Sequence, residues 1–157
     1  MYRAGIITVS DSCFAGTAKD ESGEKLANLV AEIPAEVCMQ AIVPDEREHI
    51  TAKIREGIEQ KLDFILTTGG TGIGPRDVTP EATREVIEVE IPGIAELMRV
   101  ESFKFTKMAA LSRSAAGTAG ITLIINLPGS PKAVRQCMET LLPVLRHAPN
   151  MLAGKKH

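Results

Sequence analysis

Short aliphatic and β-branched runs, each followed by a polar stretch and then a helical stripe, constrain this chain more than any other feature. Residues 5–10 (GIITVS) read as a buried strand, with a polar, glycine-containing loop running on to Gly23. From Ser22, the residues Leu26, Leu29, Val30 and Ile33 recur at helical spacing until Pro34 stops them. Residues 36–43 form a second strand, broken by Pro44-Asp45, and Ile50, Ile54, Ile58 and Leu62 make one stripe of an amphipathic helix. Residues 64–67 (FILT) are a third strand, ending in a glycine-rich loop through Asp77. Thr79 reads as the N-cap of a helix with Pro80 at its first position, and Pro92-Gly93 resets the chain before another helix with Ile94, Leu97 and Met98. Residues 109–116 and 121–126 suggest two strands joined by a tight turn at 117–120, hence one antiparallel pair. The last helix starts near Ser130-Pro131 and buries Val134, Met138 and Leu141, with a kink or split expected at Pro143. This alternation predicts an α/β fold: a three-layer α/β/α sandwich around a mostly parallel sheet with one antiparallel pair.

The length of 157 residues suits one domain, 1–157, able to bury a core without staples. Eighteen Lys and Arg against 20 Asp and Glu leave a formal charge of -2, and aromatics are only 3 %. That balance argues against nucleic acid as a partner, since it offers neither a basic field nor stacking platforms. No apolar run approaches the ~20 residues of a membrane helix, so no membrane partner is expected. Cys13, Cys38 and Cys137 lack disulfide or zinc spacing, and the amino terminus lacks a signal-peptide pattern. We expect a reducing, cytoplasmic setting.

Open α/β sheets bind ligands at the carboxyl edge of their strands, and the irregular polar residues collect there. The first strand delivers Ser10, Asp11 and Ser12; the second delivers Asp45; the third delivers Thr68, Gly69, Gly70, Thr71 and Gly72, then Asp77; the strand at 121–126 delivers Pro128, Gly129 and Ser130. Glycines without side-chain bulk let backbone N–H groups approach an anion, and threonine hydroxyls add hydrogen bonds, which suits phosphate. The loop is not a P-loop, because Pro75 and Arg76 stand where Lys and Ser or Thr should follow Gly74. Nor is it a Rossmann fingerprint, because it follows the third strand and lacks the spacing. Asp45 and Asp77, each just beyond a strand, can hold Mg2+ beside a polyphosphate; the plainer alternatives are a helix cap for Asp45 and turns for Asp77 and Asp11. Arg76 and Arg113 could contact phosphate, although surface solvation is the commoner role for arginine. His49, His147 and His157 read as surface groups, and Cys13 lacks the basic neighbour that a nucleophilic thiol needs.

Taken in order, VSDS at 9–12, VPDE at 43–46, LTTGGTG at 66–72, PRDVTPEA at 75–82, LSR at 111–113 and LIINLPGSP at 123–131 resemble the molybdenum-cofactor biosynthesis family. The similarity is to MogA-type molybdopterin adenylyltransferases and the G domain of gephyrin, and it extends over nearly the whole chain. It implies a homotrimer that uses Mg2+ to transfer AMP from ATP to the terminal phosphate of molybdopterin. It implies Asp45 and Asp77 as the metal-binding and catalytic pair, and Thr68, Gly69, Gly70, Thr71 and Gly72 as the nucleotide-phosphate loop. Ser10, Asp11, Ser12, Pro128, Gly129 and Ser130 would form other parts of the nucleotide and pterin cleft. The product would pass in a transient contact to a separate molybdenum-insertion protein. MoaB-type members that lack the acidic Pro-Asp-Glu segment look catalytically impaired, whereas Pro44-Asp45-Glu46 is intact here. Ser12 departs from the Arg that many MogA proteins carry. The alternative is a protein that binds molybdopterin without catalysis or serves as a trimeric scaffold.

Overall fold

The computed structural model describes residues 1–155, so the expectation for His157 and the last two residues of the 1–157 domain lie outside the described residues. Six strands form one sheet in the order β2-β1-β3-β6-β5-β4: β1 Tyr2–Val9, β2 Ala35–Val43, β3 Phe64–Thr68, β4 Val89–Glu90, β5 Ala116–Ala119 and β6 Thr122–Leu127. The pairs β1–β2, β1–β3 and β3–β6 are parallel, while β5 runs antiparallel to both β6 and β4. The helices are α1 Asp11–Phe14, α2 Glu21–Val30, α3 Arg47–Glu59, α4 Thr79–Arg84, α5 Pro92–Phe103 and α6 Pro131–Leu152.

Alternate residues of each central strand supply two separate cores. On one face Ile6, Phe64, Leu66, Leu123 and Ile125 pack with Leu26 and Leu29 of α2, Met98 of α5 and Met138 and Leu141 of α6. On the other, Ile7, Ile65 and Ile124 pack with Ile50 and Ile54 of α3 and Ala82 of α4. Burial on both faces is why β3 and β6 read as continuous apolar runs rather than alternating ones. The expected α/β sandwich with a mostly parallel sheet and an antiparallel pair is the fold observed.

Several local expectations are corrected. Residues 109–116 are not a strand: Lys107–Leu111 is a 3-10 turn, and β5 begins only at Ala116. The register Ala116↔Ile125 through Ala119↔Thr122 leaves Gly120 and Ile121 as the connection, with Gly120 in the left-handed region at φ 56°. Leu62 lies beyond α3, buried after the Lys61 turn rather than on the helix. Val78, not Thr79, occupies the N-cap of α4, because the Thr79 hydroxyl instead donates to Gly69 O at 2.9 Å. The helix α6 runs through Pro143 unsplit, anchored on either side of the proline by buried Leu141 and Leu145. The loop after β1 contains the short α1, where Ser10 Oγ accepts from Cys13 N.

Candidate phosphate and carboxylate site

The carboxyl ends of β1, β2, β3 and β6 meet around a cleft of about 320 Å3. Ser10, Asp45, Thr68, Gly69, Gly70, Asp77 and Gly129 line it, brought together from segments far apart in the chain. The floor is fixed by close backbone approach. Thr68 Oγ1 donates to Pro128 O at 2.7 Å, tying the β3 and β6 ends together. A Cβ on Gly129 would stand 3.3 Å from Gly69 Cα, and one on Gly69 would stand 2.3 Å from Val9 O. Gly69 and Gly70 have φ of 103° and 67°, conformations that favour glycine. The loop glycines therefore serve both a required geometry and an unobstructed wall.

The two carboxylates are held differently. Asp45 Oδ2 accepts the Asp11 N–H at 2.9 Å, and Asp77 Oδ2 accepts the Gly74 N–H at 2.9 Å. Burial pushes the Asp45 carboxyl above its ordinary range; the Asp11 N–H opposes this, and the neighbouring charges of Asp11 and Asp77 add to it. Arg76, hydrogen-bonded to Asp11, holds the Asp11 carboxyl below that range, helped by the Asp45 N–H. Asp45 and Asp77 thus share a cleft in which their charges repel, an arrangement that a hard divalent cation would relieve. Among the described residues no group of three or more His, Cys, Asp or Glu stands ready to ligate a metal. Two carboxylates are fewer ligands than Mg2+ takes, so any such ion here would have to complete its shell with water and phosphate oxygens.

Thr71, Gly72 and Pro128 lie on the other side of the glycine loop and line a second cavity of about 270 Å3, walled mainly by apolar groups including Met98, Met108 and Leu111. Asp11, Ser12 and Ser130 line neither cavity. Asp11 braces Asp45 from behind, Ser12 Oγ lies 3.2 Å from Ser10 Oγ, and Ser130 caps α6 by accepting from Ala133 N. Neither arginine is merely solvated: Arg76 pairs with Asp11, and Arg113 is half-buried among loop carbonyls. Cys13, Lys19 and Ser22 also line the cleft, which no spacing in the sequence signalled.

Residues 5–147 match the family model described as a probable molybdopterin binding domain. The chain is 47 % identical over 150 residues to the molybdenum cofactor synthesis protein cinnamon of Drosophila melanogaster, covering 94 % of this chain and 25 % of that protein. It thus spans a quarter of the fly protein's length. It is 40 % identical to the molybdopterin adenylyltransferase of Helicobacter pylori strain J99, covering 96 % of this chain and 87 % of that one. The crystal structure of the molybdopterin biosynthesis enzyme MoaB from Thermus thermophilus superposes with a TM-score of 0.93 at 50 % identity, covering 99 % of this chain and 98 % of that one. On the family match over residues 5–147, the identity to relatives matched over most of their length and the close superposition, the chain belongs to the molybdopterin-binding domain family of molybdenum cofactor biosynthesis.

Proposed function

We propose that this protein is a molybdopterin adenylyltransferase, moving AMP from ATP to the terminal phosphate of molybdopterin and releasing pyrophosphate. The observation that carries this reading is the convergence of Asp45 and Asp77, from the ends of different strands, on one cleft with Gly69 and Gly70. An oxygen of the pterin phosphate would attack the α-phosphorus of ATP, and the bond to the bridging β-phosphate oxygen would break, its electron pair leaving with pyrophosphate. No protein nucleophile is needed, so the chain's task is alignment. The glycine loop admits the phosphates to close backbone approach, and Thr68 fixes that loop against the β6 end. Asp45 and Asp77 would hold Mg2+, which when bound would neutralise charge on the triphosphate. The apolar cavity beyond Thr71 and Gly72 is suited to a flat ring system. Two cavities flanking one phosphate loop suit two substrates that meet through their phosphates.

The same reading includes a homotrimer in the cytoplasm that hands its product to a separate molybdenum-inserting protein. Exposed Val100, Phe103 and Phe105, at 63 %, 51 % and 65 %, support self-association, and light scattering tests it. Among the described residues no helix is long and apolar enough to cross a membrane.

The deciding experiment incubates folded protein with molybdopterin, Mg2+ and ATP and follows AMP transfer and pyrophosphate. Turnover is expected, and Asp45→Asn or Asp77→Asn should reduce it far more than pterin affinity. Pterin binding without Mg2+-ATP binding or turnover would instead identify a non-catalytic binder.

A further inference from the structure

Arg113 lies in the segment between the 3-10 turn and β5, outside every element that lines the carboxylate cleft. Its guanidinium reaches back to the glycine loop and the turn that follows it. Nε donates to Gly72 O at 2.7 Å, one terminal nitrogen donates to Asp77 O at 2.7 Å, and the other pairs with the Glu81 carboxylate. Its own backbone N–H donates to Thr71 O at 2.8 Å. Carbonyls from Thr71, Gly72 and Asp77 are therefore pinned by one residue.

Because each peptide is planar and trans, a pinned carbonyl sends the next N–H to the opposite side. The orientations of the Gly72, Ile73 and Val78 N–H groups are thereby set. Thr71 and Gly72 wall the apolar cavity, while Asp77 walls the carboxylate cleft, so the same guanidinium fixes the spacing of the two walls. The segment is braced from behind as well, since Arg99 donates to both Ser112 O and Ser114 O at 3.4 Å. Lysine, a flexible point charge, cannot reproduce a planar fork with donors directed at three oxygens.

We infer that Arg113 is a positioning residue that sets the geometry of the glycine loop and Asp77 without touching substrate. The catalytic part of this inference rests on the adenylyltransferase reading above; the structural part does not. Glu81 keeps the guanidinium aimed, but the carbonyl bonds carry the effect.

The test compares wild-type protein with Arg113→Lys and Glu81→Gln. Hydrogen exchange on the free protein reads the hydrogen-bonded amides of Gly74 and Asp77, and steady-state kinetics with Mg2+-ATP and molybdopterin separates kcat from KM. Arg113→Lys should exchange these amides ~10-fold faster or more and lower kcat by ~10-fold or more, at a melting temperature close to wild type. Glu81→Gln, which keeps the carbonyl bonds, should change either quantity by less than about threefold. Exchange and kcat in Arg113→Lys both within about twofold of wild type would overturn the inference. Should Arg113→Lys not fold, the wild-type Arg113 Nε–H signal decides: slow exchange by NMR supports the bond to Gly72 O, and rapid exchange refutes it. If the wild type itself transfers no AMP, the functional reading fails, and the exchange data alone judge Arg113.

Discussion

Asp11 and Asp45 are bonded to each other twice. The Asp11 N–H donates to Asp45 Oδ2 at 2.9 Å, and the Asp45 N–H donates to Asp11 Oδ1 at 3.0 Å. Each aspartate thus anchors its own backbone on the other's carboxylate, which stitches the end of β1 to the end of β2. Two negative groups at this distance would repel, but Arg76 donates from two nitrogens to Asp11, at 3.0 Å each, and offsets that charge. Asp45 is left as the carboxylate that lines the cleft, with its position set by a partner that does not.

Asp11→Ala should therefore reduce AMP transfer through Asp45. The expected loss is ~10- to 100-fold in kcat, with the melting temperature little changed because Asp11 and Arg76 are exposed. Arg76→Ala should act in the same direction but more weakly. A double-mutant cycle checks the mechanism: the double variant should resemble Asp11→Ala alone, since the two residues act through one contact.

The Glu81–Arg113 pair predicts a pH effect whose sign follows from its direction. The Arg113 guanidinium holds the Glu81 carboxyl below its ordinary value of 4.5. The folded state then binds its proton less readily than the unfolded chain, so this contribution to stability is complete above pH 4.5 and fades as pH falls through the lowered folded value. Glu81→Gln should flatten that acid limb while leaving the neutral and alkaline limbs parallel to wild type. Urea unfolding midpoints from pH 3 to pH 7 measure it, and equal acid limbs in the two proteins would exclude the pair as its source.

How much of this was legible in the sequence depended on whether a feature is local. β1, β3 and β6 were visible because burial on both faces leaves unbroken aliphatic runs, as in FILT and LIIN. The segment 107–119 was not, since its alanines fit a strand or a 3-10 turn equally, and only the register against β6 chooses between them. At the site, the glycine loop and the two aspartates were conspicuous as residue types at strand ends. The arginines were not, because Arg76 pairs with a residue 65 positions away, and Arg113 bonds to carbonyls 36 and 41 positions away. Backbone acceptors leave no mark in a sequence, so a structural arginine looks like a solvated one.

The loop glycines divide into two classes with different expected phenotypes. An alanine at position 69 would put its Cβ 2.3 Å from the Val9 carbonyl, on a backbone already at φ 103°. Gly69→Ala should destabilise the fold by ~2 kcal/mol or more, since neither backbone can yield cheaply. At position 72 no positive φ is required, and the Cβ would meet Asp77 Oδ2 at 2.9 Å. Gly72→Ala should keep stability within ~1 kcal/mol while displacing the Asp77 carboxylate and cutting kcat. Thermal unfolding and kinetics on the same preparations separate the two outcomes.

Asn126 makes the strongest stability prediction, because it is fully buried and its amide is used on both sides. Nδ2 donates to Thr67 Oγ1 at 3.0 Å and to Thr83 Oγ1 at 2.8 Å, while Oδ1 accepts from Ala115 N at 3.2 Å. The side chain thereby joins β3, α4 and the residue just before β5. Asn126→Leu has a comparable shape but leaves three polar groups without partners in the core, and should cost ~2–4 kcal/mol in urea unfolding. Asn126→Asp tests the chemistry rather than the shape, since a carboxylate could accept from both threonine hydroxyls and from Ala115. Its charge would be buried, which raises its folded pKa above the unfolded value, so the variant should be least stable at neutral pH and regain stability as the pH falls through that raised value. A variant equally destabilised at pH 5 and pH 8 would mean that the lost amide donors, rather than the buried charge, dominate at this position.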